Sequence, residues 1–201
     1  MRPLTTGAGR AAALGVLCSV LLLAGCSGSE PAPRASAATS ATPREVEPPA
    51  GVTLTAGGTA LKVGQPASVV HRVGDSAASV VTVTVTGATK GSIDDFRYFS
   101  LDDASKASTP YYVKVAVKNE GPGGLGGAAL PMFARDGAGT DIPANDIVGT
   151  FEPCPVRTLP ESFLPGATAE LCLVYLVPEG RKLRSVTLQT GTPEDAITWT
   201  S

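Results

Sequence analysis

The chain has 201 residues, with 16 lysines and arginines against 18 aspartates and glutamates, one histidine and four cysteines. A net charge of −2 without a basic cluster excludes a nucleic-acid surface, which needs Lys and Arg gathered on one face. A single histidine also argues against a zinc site, which usually takes four ligands.

Residues 1–25 read as a secretory signal. Arg2 and Arg10 make a basic start, and residues 11–25 form an apolar stretch too short for a bilayer, which takes roughly 20 apolar residues. It ends in Leu23-Ala24-Gly25-Cys26, which resembles the lipobox of bacterial lipoproteins. That resemblance implies cleavage before Cys26, whose thiol is the nucleophile that receives a diacylglyceryl lipid. Cleavage removes two of the 16 basic residues and leaves a mature charge of −4. Residues 26–50 are rich in Ala, Pro, Ser and Thr and lack the apolar surface to offset their ordering entropy. They are expected to form a lipidated tether whose ends lie roughly 25–30 Å apart as a coil.

Residues 51–201 suit one domain. Val81-Thr82-Val83-Thr84-Val85-Thr86 alternates with a period of two, which predicts a strand with one buried face. Residues 111–119 place Tyr111, Val113, Val115 and Val117 on one side and Lys114 and Lys118 on the other, a half-solvated strand. Residues 169–177 are apolar on both faces and are expected to lie centrally in a sheet. Shorter strands are expected at 61–63, 68–73, 132–135, 183–189 and 196–200, with turns at Gly121-Pro122-Gly123, Asp136-Gly137 and Pro165-Gly166. Residues 92–109 lack this period and have room for a turn or two of helix. The mature domain keeps only Cys154 and Cys172, and an even pair in an exported chain predicts a disulfide stapling the last long strand to the loop before it. Together these elements predict an all-β, antiparallel β-sandwich of about seven to eight strands.

Val115-Ala116-Val117-Lys118-Asn119-Glu120-Gly121, Phe133, Asp136-Gly137, Leu164-Pro165-Gly166, Leu173-Val174-Tyr175-Leu176-Val177-Pro178, Ile197 and Trp199, in that order, resemble an extracellular immunoglobulin-like family of Gram-positive bacteria. Many of its members are actinobacterial lipoproteins. The resemblance covers residues 61–201 and implies an immunoglobulin-like sandwich without a known active site. The Cys154 and Cys172 pair and the 92–109 insertion depart from that pattern.

The chemistry-bearing motifs are few. Gly121-Pro122-Gly123-Gly124-Leu125-Gly126 has the spacing of a dinucleotide-binding loop. That loop requires a helix to begin inside it, and prolines at 122 and 131 predict a flexible hairpin loop instead. Gly74-Asp75-Ser76 near His71 has the look of an esterase nucleophile block, but no second histidine exists to serve as base, so a polar turn is expected. No HExxH, CxxC or GxSxG occurs. Asp94-Asp95 and Asp102-Asp103 offer oxygens of the kind calcium takes, yet no EF-hand loop surrounds them, and acidic pairs more often cap helices or sit in solvated turns. Trp199 alone does not make a sugar-stacking face.

The resulting expectation is a cofactor-free, non-enzymatic binding or interaction module, lipid-anchored at Cys26 to the outer face of the cytoplasmic membrane, with a protein or envelope partner. A structural or envelope-assembly role is the alternative. Recognition is expected on the 92–109 segment, where Asp94, Asp95, Asp102 and Asp103 surround Phe96, Tyr98 and Phe99. The competing expectation is that these rings point inward and only pin an insertion.

Overall fold

The computed structural model describes residues 45–200; the expected signal, Cys26 and most of the expected tether lie outside the described residues. Nine strands follow one another: β1 (Ala60–Lys62), β2 (Pro66–Val73), β3 (Ala77–Lys90), β4 (Thr109–Gly121), β5 (Met132–Asp136), β6 (Asp141–Pro143), β7 (Thr168–Val177), β8 (Leu183–Leu188) and β9 (Ile197–Thr200). A 3-10 turn (Ile93–Phe96) and a five-residue helix, α1 (Asp103–Ala107), stand between β3 and β4. One sheet runs β2-β3-β4-β7 and the other β1-β9-β8-β5-β6. The chain crosses from β4 to β5, returns from β6 to β7, and crosses again to the β8–β9 hairpin. This is an all-β sandwich of two packed sheets.

All eight expected strands are present. The ninth, β6, spans three residues and ends in a proline, too short for any period to show. Neighbouring pairings are antiparallel except one, β1 beside β9, with Leu61 opposite Trp199. These two strands come from opposite ends of the domain, so no hairpin dictates their direction. The register of β3 against β4 shifts at Val80/Val81 and again between Val85 and Gly87, and the first shift lets both Val80 and Val81 be buried although they are adjacent.

The main core lies between the sheets. Val81, Val83 and Val85 of β3, Val113, Val115 and Val117 of β4, and Leu171, Leu173 and Tyr175 of β7 meet Met132, Val186, Leu188, Ile197 and Trp199 from the other sheet. The indole Nε1 of Trp199 donates to the Gln65 carbonyl at 2.8 Å, so the buried ring leaves no donor unpaired.

β7 is not central, as its two apolar faces led us to expect, but terminal in its sheet. A second cluster accounts for the difference: Cys172, Val174 and Leu176 on its outer face pack with Phe96, Tyr112, Phe151 and Cys154. Its free edge is also occupied. The Asn145 N–H donates to the Val174 carbonyl (2.8 Å), the Leu176 N–H to Asn145 Oδ1 (2.9 Å) and the Cys172 N–H to the Val156 carbonyl (2.6 Å). Irregular chain thus does the work of a neighbouring strand.

The glycine-rich loop is also different from the flexible hairpin expected of it. Leu125, Ala128 and Leu130 are buried in the main core, and the loop exchanges backbone bonds with the segment between Cys154 and Cys172: Leu125 to Phe163, Gly127 to Pro160 and Leu159 to Ala128. A Cβ on Gly126 would lie 1.9 Å from the Glu161 carbonyl oxygen, and one on Gly123 2.1 Å from that of Ala78. These glycines serve close backbone approach, not phosphate binding. The side chain of Asn119 holds the arrangement from within. Its Oδ1 accepts from the Ser79 hydroxyl (2.6 Å) and the Gly121 N–H (2.9 Å), and its Nδ2 donates to the carbonyls of Gly123 (2.8 Å) and Phe163 (2.9 Å). Every polar valence of this fully buried amide is used.

Asn119→Ala would strand several of these groups in the interior, at about 1–3 kcal/mol each. We expect the variant to lose about 3 kcal/mol of stability in urea unfolding monitored by Trp199 fluorescence. A loss below about 1 kcal/mol would show that the hub is not what orders the loop.

Candidate functional site

The 92–109 insertion is built by local hydrogen bonds. Ser92 Oγ accepts from the Asp94 N–H (3.2 Å) while Asp95 Oδ2 accepts from the Ser92 N–H (3.1 Å), a reciprocal cap on the 3-10 turn. Asp102 caps α1 by accepting from the Ser105 N–H at 2.7 Å, and its bonds to Ser105 hold its carboxyl below the ordinary range. Asp103 meets Lys106 at 3.3 Å in full solvent, a pair of small energetic weight. Three of the four carboxylates therefore have local partners, and Asp94 alone stands exposed without one. They do not converge: among the described residues no group of three or more His, Cys, Asp or Glu side chains is placed to hold a metal.

The aromatics divide. Phe96 is only 3% exposed, 4.6 Å from the ring of Phe151, and half-buried Phe99 meets the same ring edge-on at 5.6 Å. Tyr112 packs on Phe151 from β4 at 5.7 Å and donates its hydroxyl to Asp95 Oδ2 at 2.7 Å. Burial first, and then the Asp95 carboxylate, hold the Tyr112 proton on well above the ordinary phenol range. Tyr98 points outward, 83% exposed, with the Arg97 guanidinium 4.6 Å above its ring. Two rings thus anchor the insertion, as the competing expectation had it, and one is presented to solvent.

The second wall is a segment that sequence reasoning did not single out. Residues 145–157 run along β7, pinned by the disulfide Cys154–Cys172 with its Cα atoms 5.2 Å apart. The Arg157 guanidinium turns back on this segment and donates to the carbonyls of Ile147 (2.6 Å) and Gly149 (3.3 Å). Between this segment and the insertion opens a cleft of about 300 Å³. Its lining includes Phe96, Phe99, Leu101, Ile147 and Leu176, with Ser100, Asn145 and Asp146 as polar members. Val148, at its mouth, is 92% exposed. Of six exposed large apolar side chains, Tyr98, Val148 and Val156 belong to these two segments, so apolar surface is concentrated here. The one available sequence signal was Cys154, since a disulfide to a two-faced strand marks its loop as a cover.

A second cleft, of about 590 Å³, lies between β2 and the loop ends at Ala129, Leu130, Pro131, Gln189 and Thr190. His71 lines it but faces the core side of β2, 9% exposed. One ring nitrogen bonds to the Ala129 carbonyl, and Nε2 is sealed from solvent without a partner. Burial holds the imidazole below its ordinary pKa, so it is a neutral structural group. Gly74-Asp75-Ser76 forms the exposed β2–β3 turn. Neither Asp75 nor Ser76 hydrogen-bonds to His71.

No family model, no curated protein and no solved structure matches this chain. The fold and the geometry define it as an all-β sandwich with a disulfide-pinned second core.

Two outcomes follow. Replacing both Cys154 and Cys172 by Ser releases a loop of 18 residues' separation and is expected to cost about 3 kcal/mol in urea unfolding under non-reducing conditions. Unchanged stability would mean the cover holds without its staple. For His71, the unfolded imidazole takes up its proton as pH falls below about 6.5 while the folded one does not until lower pH. The stability from keeping it neutral is complete above that value and is lost as pH falls through the folded pKa. The wild-type urea midpoint should therefore drop between pH 7.5 and 5.5 and that of His71→Gln should stay flatter; parallel profiles would refute the assignment.

Proposed function

We propose that this chain is a membrane-tethered extracytoplasmic lipoprotein, held at the outer face of the cytoplasmic membrane by lipid on Cys26, whose sandwich acts as a binding module for a protein or envelope partner. The binding half rests on the cleft between the 92–109 insertion and the 145–148 segment, with Tyr98 and Val148 exposed beside it. Loops on a rigid sandwich that bring together apolar lining and a few polar groups are where binding sites usually form. The anchoring half rests on the order of basic start, short apolar stretch, lipobox and Pro/Ser-rich tether. The resemblance to the immunoglobulin-like lipoprotein family is in keeping with both. A catalytic role is not part of the reading: the one histidine spends a ring nitrogen on the Ala129 carbonyl, and its Nε2 is sealed from solvent. The inward rings of Phe96 and Phe99 favour a second reading, in which the insertion is structural and the chain is an accessory envelope protein.

Acyl-chain labelling of wild type and Cys26→Ser tests the anchor: label should vanish from the variant, and equal label in both would refute it. A photo-crosslinking residue at Val148, compared with one at exposed Asp75 in the β2–β3 turn, tests the module on intact cells. We expect a discrete adduct from position 148 that position 75 does not give. Identical patterns from both positions would leave the structural reading.

A further inference from the structure

We infer that the cleft receives one large apolar side chain from an extended, cationic segment of a partner protein; this rests on the binding-module reading and gives its ligand a chemistry. At about 300 Å³ the cleft lies at the small end of ligand pockets. It suits a single anchoring side chain rather than a cofactor. Its walls are set before any ligand arrives: Phe96 and Phe99 are stacked on Phe151, and the opposite wall is held by the Cys154–Cys172 bond and the inward Arg157. Anchors of this kind, one aromatic or aliphatic group in a preformed slot, carry most of the energy in protein recognition.

Charge decides among the molecules that bring an apolar group. Residues 92–109 and 145–157 carry six acidic side chains, Asp94, Asp95, Asp102, Asp103, Asp146 and Glu152, against Arg97, Lys106 and Arg157. All three cations are engaged within these segments: Lys106 with Asp103, Arg157 with two carbonyls, and Arg97 over Tyr98. The carboxylates of Asp146, which lines the cleft, and of the exposed Asp94 make no hydrogen bond or ion pair with another described residue. The face is therefore negative where the slot opens. An anionic lipid surface or a polyanionic envelope polymer is repelled by it, and lysines or arginines flanking an apolar residue are attracted. The main-chain N–H and Oδ1 of Asn145 are spent on β7, which leaves its Nδ2 group and the Ser100 hydroxyl to meet peptide carbonyls.

The test uses the full chain carrying Cys26→Ser, so that no attached lipid competes, and the fluorescently labelled peptides Lys-Lys-Phe-Lys-Lys, Lys-Lys-Ala-Lys-Lys and Glu-Glu-Phe-Glu-Glu, read by anisotropy. The first is expected to bind at least about tenfold more tightly than the other two. Val148→Arg and Asp146→Lys, both at exposed positions, should each weaken it by about tenfold or more without moving the thermal midpoint, and Asp75→Lys should not. Equal binding of both lysine peptides, insensitive to Val148→Arg, would mean diffuse surface attraction and overturn the inference. No saturable binding by the first peptide would overturn it as well. If the position-148 adduct persisted in that case, only the ligand class would fail; if the adduct were also missing, the module reading would fail with it. Stronger, Val148-dependent binding to phosphatidylglycerol vesicles would assign the cleft to lipid. Self-association in sedimentation that Val148→Arg abolishes would assign it to a second copy. Either result rejects the cationic partner.

Discussion

The corner where β4 meets β7 is apolar on both faces, and much of the remaining structure answers that constraint. A sheet in a two-layer sandwich ordinarily buries one face and wets the other. Here Leu171, Leu173 and Tyr175 fill the inter-sheet core while Cys172, Val174 and Leu176 point the opposite way, and β7 has no neighbouring strand on its outer side. Exposed, that surface would be an apolar edge of the kind that recruits other chains. Three separate parts of the sequence converge to cover it: the insertion after β3, the 145–157 segment before β7, and Tyr112 from within the sheet. The disulfide joins cover to strand rather than sheet to sheet, the reverse of its place in antibody domains.

A cover of this kind needs polar accounting of its own, because irregular backbone has no ladder to satisfy it. Asn145 resolves the edge of β7 by using main chain and side chain on two successive groups of the strand. Asn119 does the same for the glycine loop at the other end of β4. Asp136 does so for the β5–β6 turn, where its buried carboxylate accepts from the N–H groups of Ala138 and Thr140 and from Arg181 Nη1. The Arg181 bond, chiefly, holds that carboxyl below the ordinary range. Each of these three loops thus has one short polar side chain at its root that satisfies neighbouring backbone groups. The loops can then lie flat on the core instead of standing off in solvent.

What was legible in the sequence follows the physics of local pattern. The Val-Thr alternation of β3, the half-wet β4 and the short strands declare themselves through a period of two, and Cys154 and Cys172 are the two cysteines of residues 51–201. The position of β7 could not be read this way. Period and composition report how many faces are buried, not what buries them, and a covering loop and a flanking strand leave the same apolar run. The glycine loop failed for a related reason: Gly123 and Gly126 look permissive in sequence but are required by contacts with Ala78 and Glu161, far along the chain. In the insertion, the acidic pairs and rings stand out in the sequence, but the division of the rings into anchors and one outward ring depends on Phe151, which no local pattern connects to them. β6 was too short to carry a signal at all.

The division of labour inside the second core bears on what its cleft can do. Its floor, Leu176, belongs to a strand hydrogen-bonded on both sides, and one wall is tied to that strand by a covalent bond. The other wall is a 3-10 turn and a five-residue helix that has no buried residue of its own. So short a helix is not stable by propensity and persists through its Asp102 cap and neighbouring packing. Stability is therefore graded across the cleft, firm at the floor and marginal toward Tyr98 and α1. A site built in this way keeps its pocket formed without a ligand, which limits the entropy lost on binding. Only the rim at Tyr98 and α1 lacks that support.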